Sequence, residues 1–339
     1  MVRAVADQDC PTMFGLKFFS SDVAIAVGGD RVWLADGPEG PITGMPAYVA
    51  HDAGRVYAVG EEARAFSGKV PANLSVTRIT NQGGFGDVNL SVAFVRYMIA
   101  KGKSRALPPR IVVACSQNSK LGVMDVLTKA GGRKVITIPP AMAAAVGAGL
   151  PIDTPAFQVV FCLERDWCSF GVISLNGFVA SFELPGGIEL LLEDYAIYAL
   201  ATRGVALDMD KLHEIFLARG LAGSDMIGWE AWVGEMETGR ATVVPASDID
   251  FRRNAQPFAL RLDRRCRQAM EKVDAAKRRD AAGVPLHLFG PYARVPGVAD
   301  LISKAFNRRV IIPDKPEESV VRGGQRVLAD LSWLMKGAK

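Results

Sequence analysis

The chain has 339 residues, a length that suggests roughly two domains, with 49% hydrophobic and 22% charged residues, the balance of a globular protein with a full core. A formal net charge of +4 is too small to argue for nucleic acid. Five cysteines (Cys10, Cys115, Cys162, Cys168, Cys266) are odd in number, widely spaced and without a Cys-x-x-Cys, which excludes a disulfide framework and fits a reducing cytoplasm. Residues 22–27 and 31–35 read as strands joined at Gly28-Gly29, and residues 48–51 and 55–59 repeat that pattern. Residues 61–66 predict a short helix and 88–100 a longer one. A buried strand follows at 111–115, a helix at 121–130 stopped by Gly131-Gly132, a strand at 135–138 and a small-residue helix at 141–148.

The second half restarts with strands at 157–163, 170–175 and 177–184 and helices at 188–202 and 210–219. A Trp-containing segment, 227–237, alternates as a strand does. One long helix is expected over 257–279, then a strand at 285–289, a helix at 298–306, a strand at 309–312 and a closing helix at 320–334. Two halves thus repeat one plan: three antiparallel strands, then helices alternating with parallel strands. Such a plan gives two α/β domains with a cleft between them. The longest uncharged stretch, 135–152, is broken by Pro139-Pro140, and Asp7 and Asp9 interrupt the start of the chain, so neither a membrane span nor a secretory signal is expected.

Several strings resemble the MreB family of bacterial actins, in family order. They are Val59-Gly60-Glu61-Glu62-Ala63-Arg64, the run from Ala141 through Gly149-Leu150-Pro151, Val172-Ile173-Ser174-Leu175, Gly186-Gly187, and Ser319-Val320-Val321-Arg322-Gly323-Gly324. The resemblance runs from about Phe14 to about Gln325. It implies a two-domain actin-like α/β fold, each large subdomain a mixed five-stranded sheet flanked by helices, with two smaller inserted subdomains. Domain I is expected at 20–150 plus 316–339, with a small subdomain at about 36–70. Domain II is expected at 151–315, with a small subdomain at about 189–255, and residues 1–19 form an N-terminal extension.

The resemblance also implies ATP binding between the domains, and there this chain departs from the family pattern. The first phosphate loop, Asp-x-Gly-Thr in the family, reads Ala26-Val27-Gly28-Gly29, so carboxylate and hydroxyl are both missing. The family's water-positioning Glu has no counterpart: the region is Ser116-Gln117-Asn118-Ser119-Lys120, and Ser119 is a poor replacement for an aligned base. The second phosphate loop, Asp-x-Gly-Gly-Gly-Thr-Thr in the family, is Cys162-Leu163-Glu164-Arg165-Asp166-Trp167-Cys168. Glycines that would let backbone N–H groups reach phosphate are replaced by side chains. A carboxylate ~5 Å from a phosphate charge costs about 3 kcal/mol at an effective dielectric of 20. Arg165 pairs more simply with Glu164 or Asp166 than with a phosphate, and the three charges are expected to join the facing cleft walls. The family's adenosine-side Gly-Gly-Gly becomes Gly290-Pro291-Tyr292, with Tyr292 expected in the base or ribose pocket.

These departures imply a non-catalytic, MreB-related pseudo-ATPase acting in bacterial cell shape or cytoskeletal organisation, with no cofactor and no metal. Its expected partners are further copies of itself, as a homodimer or oligomer, or an MreB-type actin, and not nucleic acid. A remodelled filament-forming ATPase and a membrane-associated scaffold stand as alternatives. The location expected is the cytoplasm. Phe14, Leu16, Phe18 and Phe19 are candidate contacts to the inner-membrane surface, weighed against a role in covering the first domain's core. The base-rich stretch 252–279 has no interleaved aromatics and is expected to be the solvated face of an amphipathic helix. His51, His213 and His287 are dispersed and read as structural.

Overall fold

An unbroken apolar run such as Val23–Val27 suits a strand covered on both faces. In a computed structural model, which describes residues 22–52, 55–67, 74–101, 107–221, 230–235, 241–245 and 249–330, this run is β1 (Val23–Val27), buried throughout. It is followed by β2 (Arg31–Asp36), β3 (Ile42–Pro46), β4 (Tyr48–Asp52), β5 (Arg55–Val59), α1 (Glu61–Ala65) and β6 (Ser75–Arg78). A small hairpin, β7 (Thr80–Asn81) and β8 (Gly84–Phe85), leads to α2 (Val88–Lys101), β9 (Arg110–Ala114), α3 (Lys120–Lys129), β10 (Lys134–Ile138) and α4 (Pro140–Gly147). The main sheet has the order β10-β9-β1-β2-β3. β1, β2 and β3 are antiparallel, whereas β9 and β10 run parallel to β1.

The second half repeats this arrangement with β11 (Gln158–Leu163), β12 (Trp167–Ser174), β13 (Gly177–Pro185), α5 (Glu189–Arg203), β14 (Val205–Leu207) and α6 (Met209–Arg219). Then come β15 (Glu230–Glu235), β16 (Ala241–Pro245), α7 (Arg252–Glu271), α8 (Ala275–Ala282), β17 (Leu286–Phe289), α9 (Val298–Phe306), β18 (Val310–Ile311) and α10 (Ser319–Ala329). The second sheet is β13-β12-β11-β17-β18, again antiparallel on one side and parallel on the other. Two three-stranded sheets, β5-β4-β6 and β14-β15-β16, stand beside the large ones.

Helices α4 and α10 join the two large sheets. Their small residues let backbones touch: a Cβ on Gly147 would lie 1.8 Å from the Ser319 carbonyl oxygen, and one on Gly323 would lie 1.8 Å from that of Ala143. One core therefore runs from Ala24, Ala26 and Val112 of the first sheet, through these helices, to Val160, Cys162 and Phe289 of the second. Two further cores lie on the outer faces; the second sheet's is packed around Phe161, Phe170 and Phe306, with centroids 5.0 and 5.4 Å apart.

The long helix expected at 257–279 is two helices. α7 starts earlier, at Arg252, and accommodates Pro257; it stops at Glu271, where Val273 turns into the core. Asp274 then caps α8 by accepting from the Ala276 amide at 2.8 Å. Strands β3, β6, β14 and β16 carry weak alternation and are absent from the sequence reading. Phe14, Leu16, Phe18, Phe19 and the end of the expected closing helix lie outside the described residues. Among the described residues, no helix is long and apolar enough to cross a membrane.

Candidate functional site

Two turns meet where the halves of the chain face each other. One is Gly28-Gly29-Asp30, between β1 and β2, in which the Gly28 amide donates to the Arg31 carbonyl at 3.0 Å. The other is Glu164-Arg165-Asp166, between β11 and β12, closed by the Glu164 amide donating to the Trp167 carbonyl at 3.0 Å. Beneath them Ala26 and Cys162 are ordinary buried strand residues of the shared core. The Gly29 amide donates to Glu164 Oε2 at 3.1 Å. A Cβ on Gly29 would lie 2.7 Å from Arg165 Cβ, so only glycine permits this approach.

The second turn is fixed from below. Its three carbonyls accept from the amides of Ile188 (3.1 Å), Glu189 (2.7 Å) and Gly186 (2.6 Å), in the order Glu164, Arg165, Asp166. A Cβ on Gly187 would lie 2.3 Å from the Glu164 carbonyl oxygen, which accounts for Gly186-Gly187 at this place. Gly290, with φ of +99°, allows a similar approach to the Leu163 carbonyl after β17.

Arg165 is the hub. Its side chain is 4% exposed, and its guanidinium donates to Asp30 (2.9 Å), Glu189 (3.2 Å), Asp210 (2.7 Å) and the Tyr48 hydroxyl (3.4 Å). The partners expected from sequence, Glu164 and Asp166, are not the ones it takes, because their carboxyls point at the first half's backbone. Asp166 Oδ2 accepts from the Gln82 amide at 2.9 Å, as Glu164 does from Gly29. Arg78 adds a second guanidinium, 3.4 Å from Glu189 and 3.7 Å from both Asp30 and Asp166.

Further links extend the closure. Ser116 Oγ donates to Glu183 at 2.7 Å, and the Gln117 amide reaches the same carboxylate at 3.0 Å. Ser119 stays within the first half, donating to the Gln82 carbonyl at 3.3 Å. Tyr292 is fully buried, with its hydroxyl 2.5 Å from His213 Nε2, which is itself 3.2 Å from Asp30 Oδ2. His213 therefore belongs to the site, and sequence reasoning missed it together with Asp30, Tyr48, Arg78, Glu183, Glu189 and Asp210. The one available signal was Asp30, directly after the glycine pair.

Burial dominates the electrostatics. It pushes the Glu164 carboxyl up to about 8 against the Gly29 amide, with Asp166 and Asp30 adding to the rise. Burial raises Asp166 to about 6 despite Arg78 and the Gln82 amide. It lowers His213 to about 4, opposed by Asp30. Burial also raises Asp30, but His213, Arg165 and Arg78 outweigh it and hold that carboxyl below the usual range.

A triphosphate with its magnesium does not match this geometry. The Gly29 amide, which would face a phosphate, is already paired with Glu164, and the two turns are in contact. The two guanidiniums are surrounded by the carboxyls of Asp30, Asp166, Glu189 and Asp210. Ala26 and Cys162 offer no oxygen ligand, and among the described residues no group of His, Cys, Asp or Glu could hold a metal ion. A cavity of about 640 Å³ opens beside Arg165, lined by Tyr48, Arg64, Asp210, Lys211 and His213 among others.

The chain is similar to known proteins over much of its length. It is 30% identical over 171 residues to the cell shape-determining protein Mbl of Bacillus cereus, a match covering 48% of this chain. There it spans about half the relative's length, 51%. It is 25% identical over 327 residues to the cell shape-determining protein MreB of Haemophilus influenzae, covering 91% of this chain and 93% of that one. Among solved structures, MreB 5 of Spiroplasma citri bound to AMPPNP matches with a TM-score of 0.80 at 14% identity, over 93% of this chain and 97% of that one. A MamK double helical filament matches with a TM-score of 0.72 at 9% identity, over 91% and 99%. At such identities these structures show the actin-like fold alone. The family model described as MreB/Mbl protein matches residues 20–336, and the chain therefore belongs to the MreB/Mbl family.

Proposed function

We propose that this chain is a pseudo-ATPase of the MreB/Mbl family, a non-catalytic actin-like protein that organises bacterial cell shape or the cytoskeleton. The observation that carries the reading is Arg165, buried between the halves and bound to Asp30 of one and to Glu189 and Asp210 of the other. An internal guanidinium holds the facing walls together at no ligand concentration, so closure does not wait on nucleotide. The relatives' roles in determining cell shape support the biological setting. The filament likeness supports action by self-association or by joining a true actin homologue.

Assembly should then depend on protein concentration or a partner and not on ATP. Pelleting and electron microscopy with and without Mg-ATP test this, with equal polymer mass expected in both. Polymer that forms only with ATP contradicts it. A second reading, a remodelled ATPase, draws on the cavity beside Arg165, whose wall includes Arg64 and Lys211. It predicts measurable phosphate release.

A further inference from the structure

The cavity beside Arg165 has a wall from each half of the chain. Tyr48, Glu61 and Arg64 come from β4 and α1, and Asp210, Lys211 and Glu214 from α6. Its volume of about 640 Å³ falls within the roughly 300–1,000 Å³ of small-molecule sites. Such sites are mostly apolar, and this one is not: Ala65 is the one aliphatic side chain among the described lining residues. Tyr48 and His213 are 6% and 4% exposed, so neither ring offers a face on which a nucleobase could stack. A wall of this composition recognises hydroxyls and charges.

The other charges on this wall have partners. Glu61 meets Arg31 at 3.0 Å, Glu214 meets Lys211 at 2.9 Å and Asp210 meets Arg165 at 2.7 Å. Asp208 caps α6 by accepting from the Lys211 amide at 2.8 Å. Arg64 differs from them. It is half-buried in the last turn of α1, and its guanidinium has no carboxylate partner among the described residues. Burial chiefly lowers His213, and Arg165 and Arg64 add to the fall, so the Arg64 charge reaches across the gap between the halves. One uncompensated guanidinium suits one anionic group. The four carboxylates on the same wall repel a second such group. They accept hydrogen bonds from hydroxyls instead.

We propose that this cavity is an effector site for a small polyol bearing a single anionic group, a sugar monophosphate or a sugar acid. The anionic group pairs with Arg64, with Lys211 as a second cation on the facing wall. The hydroxyls bond to Asp208, Asp210 and the Tyr48 hydroxyl. A ligand held this way touches both halves of the chain, so it favours the closed arrangement over an open one. The closure set by Arg165 then becomes adjustable by a small molecule that is not a nucleotide. The inference rests on the proposed function in one respect, that no triphosphate competes for the cleft.

The test is isothermal titration and thermal melting of the full chain with glucose-6-phosphate, inositol monophosphate and glucuronate, beside glucose, inorganic phosphate and Mg-ATP. At least one of the anionic polyols should bind with a Kd of about 1 mM or tighter and raise the melting temperature with concentration. Glucose and inorganic phosphate should each bind at least about tenfold more weakly. Arg64→Gln should leave the ligand-free melt unchanged and weaken polyol binding about tenfold or more, the loss of one charge-assisted hydrogen bond. If that variant does not fold, Lys211→Gln should still weaken binding about threefold or more. Equal binding by folded variant and parent would overturn the proposal, as would inorganic phosphate binding as tightly as the polyols. Silence from every anionic polyol at about 10 mM, with Mg-ATP silent too, would overturn this inference and leave the pseudo-ATPase reading standing. Mg-ATP binding that Arg64→Gln weakens would overturn both.

Discussion

Arg165→Ala removes the guanidinium that links the two halves, and its cost can be worked from the contacts. Asp30 and Glu189 are 19% and 17% exposed, so both remain in a largely desolvated place once their partner is gone. Breaking a buried ion pair by removing one member costs about 3–5 kcal/mol. Asp210 is 50% exposed and returns to water, so its share is below about 1 kcal/mol. Arg78, at 3.4 Å from Glu189 and 3.7 Å from Asp30, keeps part of the compensation. The net loss is about 3 kcal/mol, or roughly 6–12 °C in melting temperature for a cooperative unit of about 200 residues. Differential scanning calorimetry measures it, and small-angle scattering should show an expanded particle. Adding Asp30→Asn to Arg165→Met should recover part of the loss, because the uncompensated charge goes with it. A melting temperature within about 1 °C of the parent, with unchanged scattering, would refute the hub role of Arg165.

The remaining predictions concern protons and space. Glu164 takes up a proton on folding, since its carboxyl rises from 4.5 to about 8, so stability falls as pH rises through that window. Below pH 6.5 the depressed His213 acts in the opposite direction, and Asp166 is spent above about 6. Between about pH 6.5 and 8 Glu164 gives the larger effect, reduced near pH 6.5 by the depressed His213 and His287, and chemical denaturation should show a fall of about 1–2 kcal/mol that Glu164→Gln abolishes. A Glu164→Gln variant retaining the full slope would remove Glu164 as its source. Gly29→Ala drives a methyl group into Arg165 and should cost about 1–3 kcal/mol. Gly122→Ala, inside α3 with nothing within 4 Å, should stabilise by about 0.5–1 kcal/mol. Thermal melts of the pair check both signs.

Apolar runs such as Val23–Val27 and Gln158–Leu163 made the sheets readable, because a strand covered on both faces has few other uses for such a run. Ala141 to Gly149 announced a close helix contact, since small residues on every side have no other packing. The edge strands β3 and β14 were not readable: one face is open to solvent, and alternation is weak there. The α7–α8 break turned on a single capping carboxylate, Asp274, within a continuous polar pattern. At the site, Glu164-Arg165-Asp166 stood out because side chains occupied a place where the family has glycine. Its partners did not, because Asp30 lies 135 residues and Asp210 45 residues from Arg165 in sequence. Neither residue type nor local spacing marks a carboxylate that only the assembled fold brings to a guanidinium. Tyr292 and His213 likewise become neighbours only when β17 and α6 pack together.

On the proposed function, side chains of this chain close the cleft in place of nucleotide. Isothermal titration of the purified full chain with Mg-ATP tests it most directly. No heat of binding is expected up to millimolar nucleotide, and ATP should leave the melting temperature where it was. Micromolar, magnesium-dependent binding that raises the melting temperature, and that Arg165→Ala weakens, would contradict it.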